Sequence, residues 1–318
     1  MPPVEPNQEH FASRPFMRYL AATRPPFLLA ALVAAMIGVA TAAYSAVAIN
    51  VWTAALTLLG AVLVHAGINV FNDYYDALNG TDAINTERLY PFTGGSRFIQ
   101  NGVLSLHETR NFALVLFALS ILIGVVLMFW AGGMLLWVGL AGLLIGWAYS
   151  APPLALNSRG LGELSVALGF GLLMPLGADM VQRQAFDPLP LIAGLPYALL
   201  TANLLYINQF PDRKADALAG KRHWVVRLEP DVARWGYLIL AAAAYLMLVV
   251  AIFTGLLPAW ASLGLLPLPL SIVAALDVLK FASTPEHLTR PIRLTILAAL
   301  AYGALLSLGL VIAAHGNA

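Results

Sequence analysis

Two stretches place clustered oxygen-bearing side chains at the ends of long apolar runs: NVFNDYYD at 69–76 and NQFPDRKAD at 208–216. On a helix, Asn72 and Asp76 stand at i and i+4, with Asp73 three residues before Asp76, so all three share a face. Asn208, Asp212 and Asp216 repeat the pattern at i, i+4 and i+8, and Pro211 is expected to kink or locally unwind that helix end. Such a set offers only hard oxygen ligands. Mg²⁺ prefers these, commonly one or two carboxylates with substrate phosphates completing the shell. Two aspartate clusters facing one another repel unless cations stand between them. Arg88, Arg97, Arg159, Lys221 and Arg222 surround them in sequence. The combination describes a site for a polyanion bridged by Mg²⁺, most simply a diphosphate. A lone aspartate at a helix end is ordinarily a cap or a solvated charge. Two matched clusters at helical spacing favour the metal reading.

The first motif continues downward. His65, Asn69, Asn72 and Asp76 follow i, i+4, i+7 and i+11, a polar stripe along one helix face. Polar groups inside a membrane are costly and point to a cavity or a partner. His65 falls roughly 10 Å below Asn72 at 1.5 Å per residue, where it serves either a helix-to-helix hydrogen bond or substrate contact.

These residues must be held by membrane-spanning helices. The 318 residues are 60% hydrophobic and only 10% charged, against about 25% charged in a soluble domain. The mean hydropathy is +0.80. Runs long enough to cross about 30 Å of hydrocarbon fall near 26–47, 51–74, 110–131, 133–150, 162–181, 188–209, 235–257, 259–280 and 293–314. The expectation is an all-α polytopic membrane protein, one domain over 1–318. The matched motifs suggest a loose parallel repeat of helices 1–4 and 5–8, with helix 9 added.

With nine spans, all of the 17 lysines and arginines except Arg183 fall on the side of the N-terminus. The positive-inside rule makes that side cytoplasmic. The long polar loops, about 75–109 and 210–234, lie there too, and loops of such length are usually functional. The chemistry is therefore expected to face the cytoplasm. The chain has no cysteine, which excludes disulfides and thiolate metal sites. No free basic stretch suggests nucleic acid, and the first 26 residues lack the pattern of a cleaved signal peptide.

The motifs resemble those of the UbiA superfamily of intramembrane prenyltransferases over nearly the whole chain. The resemblance rests on TRP (23–25), NDYYDALNGTD (72–82), GGSRFIQNG (94–102), YSAPPLALNSRGLGEL (149–164) and NQFPDRKADALAGKRHWVVRL (208–228). The wording of the last two is most similar to the 1,4-dihydroxy-2-naphthoate polyprenyltransferases of menaquinone synthesis. RLYPFTGGSRFIQ departs from the shorter Arg-Gly-Pro loop of the best-known members of that branch.

The resemblance implies nine helices around a central cavity, capped by two cytoplasmic loops, in a bacterial inner membrane. It implies an isoprenyl diphosphate and an aromatic acceptor as substrates, with Mg²⁺ as cofactor. By position, the metal and diphosphate residues are Asn72, Asp73, Asp76, Asp82, Asn208, Asp212 and Asp216. Lys221, Arg222 and Arg159 neutralise the diphosphate. Arg97 belongs to TGGSR, a candidate anion-binding nest. Tyr149 is a candidate for stabilising an allylic cation, or else an interfacial belt residue. Glu163 is a base, an acceptor anchor or a structural cap. Asn69 and His65 are candidate substrate contacts.

A secondary transporter predicts inverted repeats and ionisable groups near the midplane, whereas these acids gather at one face. A structural or assembly protein leaves the acidic clusters unexplained. Among enzymes, 4-hydroxybenzoate, homogentisate and other quinone or lipid precursors remain alternative acceptors.

Overall fold

A computed structural model describes Val4–Gly316. Nine apolar helices run through it: α1 Pro25–Tyr44, α2 Val51–Asn79, α3 Leu106–Ala131, α4 Met134–Ser150, α5 Gly162–Arg183, α6 Leu189–Leu218, α7 Pro230–Phe253, α8 Ala259–Phe281 and α9 Thr289–Gly316. Eight are long and apolar enough to cross a membrane, and α4 is the shorter exception. Large apolar side chains face outward, among them Phe129, 82% exposed, and Phe253, 91% exposed. A soluble protein does not leave so much apolar surface uncovered. The chain is an integral membrane protein.

Local sequence sets where the helices begin and end. The Asn50 side chain accepts from the N–H groups of Trp52 and Thr53 and starts α2. Ser105 and Glu108 form a reciprocal capping box at the start of α3. Both acidic motifs lie on helix rather than in loops. α2 continues to Asn79 and α6 to Leu218, each beyond the apolar run that marks it in sequence. α6 stays helical through Pro211, so the expected unwinding does not occur.

Packing divides the bundle unevenly. α1, α6, α7, α8 and α9 close on a core that includes Ile37, Tyr197, Tyr245, Leu248 and Tyr302. The buried tyrosine hydroxyls mostly find partners: Tyr197 donates to the Ala30 carbonyl at 3.0 Å, and Tyr245 pairs with Ser271 at 2.9 Å. α5 carries a π-helical stretch over Ala167–Leu173, just before Pro175. Pro175 has no N–H to give the Gly171 carbonyl four residues back. That oxygen packs instead against Gly194 of α6, where a Cβ would stand 1.9 Å away. Close approach through small residues is how membrane helices gain contact without a hydrophobic drive between them. α2 to α5 pack less completely and, with α1 and α6, line a cavity.

Candidate functional site

The two acidic helices terminate alike. In each, a glycine with φ of +81° stands four residues after the last aspartate of the motif: Gly80 after Asp76, and Gly220 after Asp216. Beyond the glycine the two paths diverge. After Gly80 the chain enters a short helical turn, Thr81–Ile84, which buries Asp82. After Gly220 it folds back in a Schellman turn. The Gly220 N–H donates to Ala217 O at 3.1 Å and the Lys221 N–H to Asp216 O at 2.9 Å. This reversal aims the Lys221 side chain along its own helix toward the first motif.

The Lys221 ammonium bridges the motifs, 2.9 Å from Asp76 Oδ1 and 3.0 Å from Asp216 Oδ1. All three residues are buried. Burial alone would lower the lysine pKa, but the Asp76 and Asp216 carboxylates more than reverse this and hold it above its ordinary value. His223 Nε2 lies 2.9 Å from the second oxygen of Asp216.

The 80–105 loop supplies the remaining partners. Asn85 donates to Asp212 Oδ1 at 2.6 Å, and the Gly94 N–H to Asp212 Oδ2 at 3.3 Å. The Ser96 N–H donates to Asp73 Oδ1 at 3.2 Å. One loop thus touches both motifs. Gly95 has φ of +73°, and a Cβ there would stand 2.2 Å from Asp82 Oδ2. The glycine keeps a cradle open for that carboxylate. Burial, with the charges of Asp76 and Asp73 added, pushes Asp82 up to about 8. The cluster carries more negative charge than its protein donors offset.

A cavity of about 500 Å³ opens against this cluster. Its polar end is lined by Asn72, Asp76, Asp82, Asn208, Asp212 and Asp216, together with Lys221 and His223. Tyr149, next to the Ser150 that meets Asn72, lines it near the polar end, and Asn69 and His65 line it further along α2. Asn72 donates to Ser150 Oγ at 3.0 Å and Asn69 to the Thr23 carbonyl at 3.1 Å. His65 packs edge-on against Phe170, with ring centroids 4.7 Å apart. Below them the wall is apolar, and it reaches Thr57. Thr57 to Asp76 spans about 28 Å of helix at 1.5 Å per residue. Gly124, Gly139 and Gly142 line this slot, and a Cβ at any of them would meet nothing within 4 Å.

Five sequence candidates stand outside that wall. Asp73 lies behind it, held by Ser96. Arg97 turns away toward Glu5, 3.7 Å from it, and bonds the Asp82 carbonyl. Arg159 and Arg222 are exposed, in the loops at the polar end. Arg159 donates to the Pro153 carbonyl, and the Arg222 N–H joins Ser158 O at 2.6 Å. Glu163 keeps both carboxylate oxygens buried with no hydrogen-bond partner among the described residues.

The structure also adds partners that sequence reasoning did not name individually; Gly94 and Ser96 fall within the TGGSR nest candidate and Arg24 within TRP. Asn85, Gly94, Ser96 and His223 hold the aspartates, and Arg24 reaches the cavity while donating to the Phe92 carbonyl at 2.8 Å. His223 comes directly after Lys221-Arg222, so adjacency to a basic motif was its one signal. Asn85 had none.

The donor set suits Mg²⁺. Among the described residues no three acidic or histidine side chains form a ready-made metal cage. That agrees with an ion that takes few protein carboxylates and completes its shell with phosphate and water. A buried Asn208 Oδ1 has no partner, a hard oxygen left available beside the aspartates.

A profile of the UbiA prenyltransferase family matches residues 27–297. The chain belongs to that family. It is a prenyltransferase. Among its relatives is 1,4-dihydroxy-2-naphthoate octaprenyltransferase of Mycobacterium tuberculosis, 30% identical over 82% of this chain and 85% of that one. Another is 2-carboxy-1,4-naphthoquinone phytyltransferase of Synechocystis, 27% identical over 85% of each. The fold is shared with a UbiA homolog from Archaeoglobus fulgidus bound to DMAPP and Mg²⁺. That match has a TM-score of 0.60 and 19% identity, and covers 91% of this chain and 99% of that one. It is shared as well with a UbiA homolog from Aeropyrum pernix, at a TM-score of 0.61 and 19% identity over 90% and 97%.

Proposed function

We propose that this prenyltransferase moves a polyprenyl group from an isoprenyl diphosphate to 1,4-dihydroxy-2-naphthoate, with Mg²⁺ as cofactor. The observation that carries the reading is the buried Asp76–Lys221–Asp216 cluster at the mouth of a slot whose far part is mostly apolar. A diphosphate head meets charge and hydrogen-bonding groups there, and a long hydrocarbon tail meets a mostly apolar wall. Naphthoate prenyltransferases among the relatives support the acceptor.

The residues divide the work. Asp76, Asp82, Asp212 and Asp216, with Asn72 and Asn208, would hold Mg²⁺ against the diphosphate, and Asp73 behind them would position the loop through Ser96. When bound, the metal offsets negative charge on the departing oxygens. Lys221 adds a proton-bearing cation beside them. The donor C–O bond breaks with its electron pair leaving on the diphosphate. The apolar slot keeps water from the allylic cation, and the Tyr149 ring on the wall offers it a π face. The acceptor carbon bearing the carboxylate forms the new C–C bond. Its bond to the carboxylate then breaks, CO₂ departs, and the released pair restores the aromatic ring. No oxidant is required.

The long loops and nearly all basic residues share the end that holds the cluster, and by the positive-inside rule this supports a cytoplasm-facing site in a bacterial inner membrane. Carboxyl-labelled dihydroxynaphthoate and a polyprenyl diphosphate should yield labelled CO₂ and a prenylated naphthol, and menaquinone should return in a strain lacking its own enzyme. Prenylation of 4-hydroxybenzoate or homogentisate in place of naphthoate would reassign the acceptor.

A further inference from the structure

Lys221 holds an unusual position. Its ammonium stands between carboxylates of two different helices, where the proposed chemistry needs a divalent cation. Asp216 has both oxygens engaged, Oδ1 by Lys221 and Oδ2 by His223. Asp76 Oδ1 accepts from Lys221 and also from Asn79 at 3.1 Å. Without a cation between them, two buried carboxylates would face each other at a large electrostatic cost. The amine is delivered by local geometry. The Schellman turn at Gly220 fixes the lysine backbone, and four methylenes carry the charge across to α2. An ammonium on a flexible stem is also a compact point charge that can be moved without unfolding its anchor.

We propose that Lys221 is a positioning residue that acts as a resident counter-ion. It holds the Asp76 and Asp216 helix ends together while the site lacks metal, and it gives up that place to a divalent cation when a diphosphate loads, turning its ammonium to the phosphate oxygens. The inference rests on the diphosphate reading above. It explains how the acidic pair is kept closed between turnovers and why metal and diphosphate should enter together. Metal alone must displace an ammonium already paired with two carboxylates. Metal with diphosphate gives the displaced ammonium a new anion.

Thermal unfolding of the full chain in detergent tests this, using MgCl₂ and inorganic diphosphate as probes. In EDTA, Lys221→Met should unfold roughly 5–10 °C below wild type, since it leaves buried carboxylates unpaired. Mg²⁺ alone should recover most of that loss in Lys221→Met, yet shift wild type little until inorganic diphosphate is added. Lys221→Arg should keep the stability in EDTA. If Lys221→Met does not accumulate, the double variant Lys221→Met/Asp216→Asn removes charges of both signs. It should fold in EDTA and lose the response to Mg²⁺ alone. Equal Mg²⁺ responses in wild type and Lys221→Met overturn the exchange while leaving the diphosphate site standing. A double variant that still responds to Mg²⁺ alone also overturns it. No response of wild type to Mg²⁺ with diphosphate removes the diphosphate reading and the exchange with it.

Discussion

The protein buries charge at both ends of its helices, with opposite bookkeeping. At the end of α5 away from the acidic cluster, Asp179 is fully buried and every strong demand is met nearby. Arg183 donates to it at 2.7 and 2.9 Å and Thr41 at 2.8 Å, while Arg183 also reaches Ser45 and Asp187. Next to it, Gln182 donates to Thr53 and accepts from the Asn50 N–H. This network ties α1, α2 and α5 together and leaves nothing for a ligand. At the other end, four aspartates line the cavity with one buried lysine and one histidine, and Asn208 keeps an unpartnered oxygen. A closed network reads as architecture. A network in charge deficit beside a cavity reads as a site waiting for cations.

That contrast breaks if the acidic end proves structural. Asp212→Ala should therefore cost about 10³-fold or more in turnover, roughly 4 kcal/mol of barrier, with the protein still folded in detergent. Asp73→Ala and Asp76→Ala should behave alike in the same prenyl-transfer assay. Excess EDTA should also abolish turnover, and full activity in its presence would refute a metal-dependent site.

The opposite end should respond in stability instead. Asp179→Ala leaves Arg183 without its buried partner and should cost about 3 kcal/mol, read as a lower unfolding midpoint. Turnover per folded molecule should stay near that of wild type. A large loss of turnover without destabilisation would give this network a functional role.

A finer probe lies in the loop between α2 and α3. Gly95→Ala adds a Cβ 2.2 Å from an Asp82 oxygen at a backbone φ of +73°. The carboxylate must shift, and kcat/KM should fall about tenfold, with a stability cost of roughly 1–2 kcal/mol from the left-handed backbone. An unchanged kcat/KM would show that Asp82 can move without consequence.

The smallest effect concerns the N-terminal segment. Glu5 pairs with Arg88 at 2.7 Å and accepts from Asn101 at 3.3 Å, fastening residues near the N-terminus to the same loop. Burial would raise the Glu5 carboxyl, but its bonds to Arg88 and Asn101 prevail and hold it below the ordinary value of 4.5. A depressed folded-state pKa contributes stability that is present above the unfolded value and is lost as pH falls through the lowered one. Glu5→Gln should cost less than about 1 kcal/mol, because the pair is partly solvated. Protection of the loop from protease should weaken in the variant, and in wild type only as pH drops below about 4.5.

The sequence by itself determined the all-helical membrane fold and the acidic faces of α2 and α6; it indicated nine spans, which the structure resolves into eight long helices and a shorter α4. Hydropathy and the i, i+4 spacing are local patterns, and they survive whatever the helices pack against. Tertiary structure decided what meets across the bundle. Sequence nominated Arg88, Arg97, Arg159, Lys221 and Arg222 together as basic partners, but only Lys221 lies between the motifs, because the Schellman turn points it inward while Arg222 faces out. Arg97 pairs with Glu5, which is 92 positions away and invisible to any periodicity. Nor does spacing reveal that Asp179 answers Thr41, or that Asn85 and Gly94 grip Asp212. Those contacts depend on how far apart packed helices stand and how a loop crosses them. A helix carries its own period, but the distance to its neighbour is set by the side chains of both.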